Sequence, residues 1–270
     1  MRILFIGDVM GRPGREVVTT QVPLLRESLQ LDFVVANGEN AAGGFGLTRA
    51  IANDFFAAGV DCITTGNHWA DQKEILSIID DEDRILRPRN LPQGAPGKGA
   101  NLYQTRSGQH VLVINPMGRV FMEPQDDPFA AVEAELAACP LGEAADGIVV
   151  DMHAEATSEK MAMGHFCDGR ASMVVGTHSH VPTADAQILP GGTAYQTDAG
   201  ACADYDSVIG MEKFEPLQRY TRKLPTNRYS PASGPATLCA VFVETNGKGL
   251  ATRVDPVRIG GRLKPALPDL

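Results

Sequence analysis

The chain has 270 residues and a formal net charge of −9, with 24 Lys and Arg against 33 Asp and Glu. Hydrophobic residues make up 43% and charged residues 21%, which excludes a wholly disordered chain and is typical of one large or two small globular domains. The acidic balance argues against tight binding to duplex nucleic acid, which needs a basic surface, but not against a small phosphorylated substrate whose charge a metal ion offsets.

The first predicted strand, residues 2–6, begins almost at the N-terminus. Its apolar run is too short for a signal peptide, and no stretch approaches the roughly 18 apolar residues of a membrane span. The five cysteines are odd in number, widely spread and form no C-x-x-C pair. We therefore expect reduced thiols in a cytoplasmic protein, and neither a disulfide framework nor a structural zinc site.

Short apolar runs alternate with helix-like segments through the first two thirds of the chain, which predicts parallel βαβ units. The predicted strands are residues 2–6, 32–36, 60–64, 111–114, 147–151 and 172–175, and the predicted helices are residues 15–29, 48–58 and 72–80. Pro23 should kink or split the first helix, and Thr48 is the expected N-cap of the second.

The last third of the chain is rich in strands. Residues 193–196, 236–244 and 250–256 are predicted strands, and Asn246-Gly247 predicts a hairpin turn between the last two. Residues 86–99 hold three prolines and three glycines and predict an irregular loop. Because no repeat or interdomain linker is visible, we expect a single domain over residues 1–270.

Residue types that bind metal ions follow one predicted strand after another. Each motif alone is commonly a turn or a cap, but ligands of open α/β sheets bind beyond the carboxyl ends of strands, so these ends are expected to converge. The motifs are Gly7-Asp8, Asn37-Gly38-Glu39-Asn40, Thr65-Gly66-Asn67-His68, Asp151-Met152-His153 and Gly176-Thr177-His178-Ser179-His180. Together they predict a metal site.

The number of candidate ligands predicts two metal ions. They are too many for one tetrahedral ion and suit two ions that share a bridging carboxylate, as in centres that hydrolyse phosphate esters. The set combines three imidazoles with four oxygen-bearing side chains and no thiolate, which favours iron or manganese over zinc. The candidates are Asp8, Glu39, Asn40, Asn67, His153, His178 and His180.

These motifs resemble the calcineurin-like metallophosphoesterase superfamily, and most closely its YmdB-like bacterial branch. The resemblance spans roughly residues 2 to 258 and includes the motifs around Asp8, Glu39, His68, His153 and His178. It implies an α/β fold, a four-layer αββα sandwich with two mixed sheets. It also implies two divalent metal ions and phosphodiester hydrolysis, with 2′,3′-cyclic nucleotides as the best-supported substrates.

Two positions depart from the pattern of the broad superfamily. Met10 stands where an imidazole usually follows the first strand, and Asn40 could take that coordination position, as the branch implies. Trp69 stands where an acid often follows Gly-Asn-His, so the carboxylate partner of His68 is open, with Asp71 as a candidate.

The expected mechanism is in-line attack on phosphorus by a hydroxide that bridges the two metals, while His68 protonates the leaving alkoxide. In this hypothesis Glu39 bridges the ions. One ion is held by Asp8, Asn40 and His180, and the other by Asn67, His153 and His178. Phe45, in the Gly-rich segment 43–46, either stacks on a base or belongs to a flexible turn. Asp198 is expected to be a turn residue and not a ligand.

Other classes of function either fit the sequence less well or stay open. A dinucleotide-binding oxidoreductase is disfavoured because Gly7, Gly11 and Gly14 follow a G-x₃-G-x₂-G spacing, and the sequence has no G-K-[ST] for a P-loop. A phosphomonoesterase or 5′-nucleotidase stays open because the same metal pair serves it, as does a metal-binding regulatory protein with little catalysis. The expected partner is a small phosphorylated nucleotide, without a membrane, and a homo-oligomer stays open.

Overall fold

The structure is a computed structural model that describes residues 1–224 and 227–269. Its strands are β1 (Arg2–Ile6), β2 (Asp8–Val9), β3 (Phe33–Asn37), β4 (Cys62–Thr64), β5 (Ala100–Gln104), β6 (His110–Ile114), β7 (Gly147–His153), β8 (Met173–Thr177), β9 (Gln187–Ile188), β10 (Ala194–Gln196), β11 (Ala201–Cys202), β12 (Leu238–Thr245) and β13 (Ala251–Ile259). The helices are α1 (Gly11–Ser28), α2 (Arg49–Ala58), α3 (Pro128–Ala138), α4 (Thr157–Cys167) and α5 (Phe214–Arg222), with a 3₁₀ helix at Lys73–Ser77.

The first sheet has five strands in the order β13-β12-β1-β3-β4. Strands β1, β3 and β4 run parallel, joined through α1 and α2 as the βαβ pattern predicts. Strand β12 pairs antiparallel with both β1 and β13. The predicted hairpin is confirmed, because Gly249 N donates to Asn246 O in the turn between β12 and β13.

The second sheet has six strands in the order β5-β6-β7-β8-β10-β9. Its four central strands are parallel, and antiparallel strands close both edges. Both large sheets are therefore mixed. A short parallel pair of β2 and β11 places Asp8 beside Ala201.

Successive side chains of a strand point to opposite faces of the sheet, so the buried side chains of one strand belong to separate hydrophobic clusters. In β1, Leu4 and Ile6 belong to the cluster that includes Val18 and Phe55 of α1 and α2. Ile3 and Phe5 belong to a second cluster, shared with apolar side chains of β6, β7 and β8. A third cluster joins the opposite faces of β6 and β7 to α3 and α4. Strands buried on both faces explain the near-continuous apolar runs in the sequence.

The structure corrects two predictions about the extent of helices. Pro23 does not split α1, which runs as one helix from Gly11 to Ser28. The exposed proline is tolerated because Val22 and Leu25 on the opposite face stay packed against the sheet on both sides of it. The helix predicted at residues 72–80 shortens to the 3₁₀ helix Lys73–Ser77.

Other local predictions are confirmed. Thr48 caps α2, since its side chain accepts a hydrogen bond of 3.4 Å from Ile51 N. Gly59 ends the same helix with a φ of 104°, which a residue with a side chain rarely adopts. Residues 86–99 form mainly turns and isolated bridges, as their prolines and glycines predict. Within the described part of the chain, every helix is too short or too polar to cross a membrane.

Candidate metal centre

The carboxyl ends of five parallel strands, three in one sheet and two in the other, carry the candidate ligands. Asp8 follows β1, Glu39 and Asn40 follow β3, Asn67 follows β4, His153 ends β7, and His178 and His180 follow β8. Asp8, Glu39, Asn40, His153 and His180 are buried, and His178 is partly buried. Buried polar groups need partners, so a cluster of this kind points to a bound cation.

Glu39, His153 and His178 form one group of donor atoms. One ligand atom of each lies within 4.8 Å of the others. The Nε2 atom of His153 is 3.2 Å from Glu39 Oε1 and 3.0 Å from Asn67 Oδ1. Asn67 therefore joins the same group. These four side chains offer two imidazole nitrogens and two oxygen donors, a set that suits a first-row divalent metal.

Asp8, Glu39 and His180 form a second group by the same measure. The Nε2 atom of His180 lies 3.8 Å from Asp8 Oδ1. Asn40 is buried beside them, and its Nδ2 donates to Gly44 O at 3.0 Å, but its Oδ1 accepts no hydrogen bond from the described residues. An unpartnered buried carbonyl oxygen is costly, and a cation would satisfy it. Because Glu39 belongs to both groups, the residues fit a pair of ions with a shared carboxylate.

Gly66 must be a glycine for the cluster to close. A Cβ atom at this position would overlap the ring of His153 and the carboxylate of Glu39. The glycine before Asn67 therefore allows the backbone after β4 to pass directly against two candidate ligands.

The segment from His178 to His180 has an unusual backbone. His178 has a φ of 92° and His180 a φ of 64°, values that non-glycine residues adopt only when the surroundings enforce them. His178 N donates to Asp8 Oδ1 at 3.2 Å. Ser179 donates to Asp198 Oδ2 through its backbone N at 3.1 Å and its Oγ at 2.6 Å. Two carboxylates thus hold the segment in place.

Asp198 also forms a buried ion pair. Lys160 Nζ of α4 lies 2.8 Å from Asp198 Oδ2, and neither side chain is exposed to solvent. Gly200 N donates to the other carboxylate oxygen at 2.8 Å. Asp198 lies outside both donor groups, so it acts on the histidines by holding the backbone of Ser179 between them.

Hydrogen bonds on the far side of the imidazole rings orient two of the histidines. Nδ1 of His153 lies 2.8 Å from the Oγ1 of Thr177, which donates to Asp151 at 2.6 Å, so the ring nitrogen is the donor. Nδ1 of His180 donates to Ile209 O at 2.7 Å. Both bonds leave Nε2 free to bind a metal. These partners were not predicted from the sequence, although Asp151 precedes His153 by two residues on the same side of β7.

Burial and charge shift several pKa values in the cluster. Burial raises the pKa of Asp8 to about 7, against the charge of His180. Burial also acts to raise the pKa of Glu39, but the charge and hydrogen bond of His153 outweigh it and lower the value to about 2. Burial lowers the pKa of His178 to about 3, and the charge of His153 adds to this effect. His178 is therefore a neutral imidazole, the form that binds metals.

His68 stands beside the donor groups with its ring partly exposed to solvent. Its Nδ1 lies 2.9 Å from Asp71 Oδ2, and its backbone N donates to Glu39 Oε2 at 3.1 Å. Asp71 is thus the carboxylate partner that the sequence left open, while Trp69 packs against the first hydrophobic cluster. The ring of Phe45 meets that of His68 edge-on, with 5.0 Å between centroids.

Two clefts open on the cluster, and both include His68 and His178. The first cleft, of about 440 Å³, is lined by Glu39, Asn40, Phe45, His68, Glu155, His178, Ser179, His180, Ile209, Met211, Tyr220 and Tyr229. The second cleft, of about 420 Å³, is lined by Asn67, His68, Asp71, Phe121, Met122, Glu123 and His178. A substrate in either cleft would meet the same imidazoles.

Comparison with known proteins identifies a matching family and a similar protein of known name. A family model described as YmdB-like protein matches residues 4–257. The chain is 48% identical over 244 residues to a Bacillus subtilis protein named 2′,3′-cyclic-nucleotide 2′-phosphodiesterase, covering 90% of this chain and 91% of that protein.

Two solved structures are similar over nearly their whole length. A Thermus thermophilus protein described as hypothetical has a TM-score of 0.90 and 44% identity, covering 97% of this chain and 100% of that one. A Mycoplasma pneumoniae protein described as a novel phosphatase has a TM-score of 0.89 and 30% identity, covering 96% of this chain and 93% of that one.

Proposed function

Because the chain belongs to the YmdB-like family, we propose that it is a metal-dependent phosphodiesterase that hydrolyses 2′,3′-cyclic nucleotides. The observation that carries the proposal is the position of Glu39, whose carboxylate belongs to two adjoining groups of metal donors. The substrate class follows from the Bacillus subtilis relative, which covers nine tenths of the chain at 48% identity. The phosphatase among the similar structures supports hydrolysis of phosphate esters in the same fold.

The proposed cofactor is a pair of divalent ions, with iron or manganese as the metals. One position uses Asp8, Asn40 and His180, the other uses Asn67, His153 and His178, and Glu39 serves both. When bound, the ions would supply the positive charge at the phosphate oxygens and the hydroxide that attacks phosphorus. The orphaned Oδ1 of Asn40 supports the first position, and the oxygen-rich donor set supports a harder metal than zinc.

His68 is the proposed general acid. Its Nδ1 pairs with Asp71, which leaves Nε2 to carry the proton toward the leaving oxygen. In a 2′,3′-cyclic nucleotide, attack at phosphorus breaks the bond to one ribose oxygen, and that oxygen takes the proton of His68. By analogy with the name of the Bacillus subtilis relative, the bond to O2′ breaks and a nucleoside 3′-phosphate is released.

The layer arrangement, the number of domains and the cellular location also belong to the proposal. The three hydrophobic clusters support a four-layer αββα arrangement, and the pairing of β12 near the C-terminus with β1 supports a single domain over residues 1–270. The cytoplasmic location stays a prediction from the cysteine pattern, as does the lack of a duplex nucleic acid partner from the net charge.

A substrate panel tests the function. We expect 2′,3′-cyclic AMP to be hydrolysed to the 3′-phosphate faster than 3′-AMP, 5′-AMP or 3′,5′-cyclic AMP, with the metal content of each sample measured in parallel. Faster release of phosphate from the monophosphates would instead favour a phosphomonoesterase or 5′-nucleotidase. No turnover by protein that holds two metal ions would favour the regulatory alternative.

A further inference from the structure

Phe121 is the most exposed large apolar side chain among the described residues, at 89%, and it lines the second cleft. Its φ of 61° lies in the left-handed region, which is a strained conformation for an aromatic residue. An exposed phenyl ring and a strained backbone both cost free energy. Backbone strain of this kind is typical of functional sites, and here it lies beside the candidate metal donors.

The loop that carries Phe121 is held rigidly by two buried polar side chains. Asn90 clamps both ends of the loop, since its Nδ2 donates to the carbonyls of Met117 and Asp126, both at 2.8 Å. The carboxylate of Glu159 accepts from the backbone N atoms of Arg119 at 3.0 Å and Val120 at 3.2 Å.

The start of the loop is also joined to the candidate metal centre. Gly118 N donates to the carbonyl of His153 at 2.9 Å, so a backbone hydrogen bond connects the loop to one of the proposed ligands. The phenyl ring is consequently presented to the cleft by a fixed support, which reduces the entropy lost when a ligand binds.

The charges in the second cleft indicate what kind of group it accepts. Its lining includes the carboxylates of Asp71 and Glu123 and no lysine or arginine among the described residues. A second phosphate would be repelled there. A neutral group with a flat π face and N–H or O–H donors, such as a base and its ribose, fits both the ring and the acceptors.

The aromatic residues of the first cleft are less suited to stacking. Arg228 Cζ lies 4.5 Å from the centroid of the Phe45 ring, and His68 forms an edge-to-face pair with the same ring, so at least one of its faces is already covered. Tyr220 is 74% exposed, but it stands on α5, in which only Pro216 is buried. Compared with Phe45 and Tyr220, Phe121 combines an exposed ring with a backbone held in place by hydrogen bonds.

We propose that the second cleft binds the nucleoside of the substrate and that Phe121 stacks on its base. This inference rests on the proposed function, which puts the phosphate at the donor cluster around Glu39. His68 and His178 line the second cleft as well as the first, which contains Glu39. A nucleotide bound in this way therefore keeps its ribose oxygen near His68, the proposed general acid.

The test compares the binding of 3′-AMP and of inorganic phosphate to metal-loaded protein by calorimetry. We expect Phe121→Ala and Phe121→Leu to weaken 3′-AMP about tenfold, the size typical of one lost stacking contact, and to leave phosphate unchanged. Phe121→Trp should retain the affinity for 3′-AMP. Tyr220→Ala is the matched control, a similarly exposed ring in the first cleft, and should change 3′-AMP binding less than about twofold.

Unchanged 3′-AMP binding in Phe121→Ala, or an equal loss for phosphate, would overturn the assignment. A loss in Tyr220→Ala without one in Phe121→Ala would overturn it too, because the base would then lie in the first cleft. The binding measurement needs no turnover, so the two proposals can fail separately. If 3′-AMP binding depends on Phe121 but the protein does not hydrolyse cyclic nucleotides, the proposed function is refuted and the cleft assignment stands.

Discussion

Glu39 is the residue on which both proposed metal positions depend. We expect Glu39→Gln to lower turnover at least about a hundredfold and to reduce the bound metal, because the amide supplies no charge to either ion. Glu155→Gln is the matched control, since this carboxylate lines the same cleft, 3.3 Å from His178 Nε2, but belongs to neither donor group. Turnover, metal content and thermal melting are measured together. Full activity in a folded Glu39→Gln protein would remove this residue from the centre.

His68 makes a prediction that depends on the leaving group. We expect His68→Ala to retain the metals and to lose about a hundredfold in rate on 2′,3′-cyclic AMP, whose leaving alkoxide needs a proton. The loss should shrink on bis(p-nitrophenyl) phosphate, because a nitrophenolate leaves without one. Asp71→Asn should give a smaller loss of the same pattern. Equal losses on the two substrates would show that His68 binds phosphate and does not act as an acid.

Metal binding is expected to release protons, in a number that falls as the pH rises. The metal-free protein has a pKa of about 7 at Asp8, raised by burial. At His153 burial lowers the pKa, but Glu39 outweighs it and raises the value to about 9. Both groups must lose their protons to bind metal, so affinity should fall as the pH drops.

Calorimetry in buffers of different ionisation enthalpy measures this release. We expect about one more proton to be released at about pH 6, where Asp8 and His153 are both protonated, than at about pH 8, where only His153 is. The same number at both values would mean that Asp8 does not bind the metal as a carboxylate.

At the scale of the elements, the buried pair of Lys160 and Asp198 joins α4 to the segment after β8. Lys160→Met should destabilise the protein by about 3–5 kcal/mol, because it leaves the Asp198 carboxylate buried without its cation. The double variant Lys160→Met with Asp198→Asn should recover part of this loss. Urea unfolding of the metal-free proteins measures both. A double variant no more stable than Lys160→Met would contradict the idea that the unpaired Asp198 charge causes the loss.

The local signals in the sequence predict some elements well and others poorly. Strands buried on both faces and the Thr48 cap are visible because each depends on neighbouring residues in the chain. The continuity of α1 is not visible in the sequence, because the packing of Val22 and Leu25 against the sheet overrides the tendency of Pro23 to break the helix. Strand β5 and helices α3, α4 and α5 lie outside the predicted elements. Strand β5 and helix α3 lack a regular apolar pattern, and α5 is short and buries only Pro216.

At the scale of the whole molecule, the predicted ligands meet because two sheets bring their strand ends together. The rule that ligands bind at the carboxyl ends of parallel strands was sufficient to group the seven side chains from sequence. Contacts between distant segments were not accessible in this way. Lys160 and Asp198 lie 38 residues apart, and a lone phenylalanine in a turn such as Phe121 carries no signal until the loop around it is seen.

The central claim is that two metal ions at the shared carboxylate of Glu39 make this protein a phosphodiesterase. The most direct measurement strips the protein of metal and follows the turnover of 2′,3′-cyclic AMP as manganese, iron under reducing conditions, or zinc is added stepwise. We predict that activity rises until two equivalents are bound, and that manganese or iron gives more activity than zinc, because oxygen-rich donors favour them and zinc prefers four ligands. A plateau at one equivalent, or no turnover with two ions bound, would contradict the account.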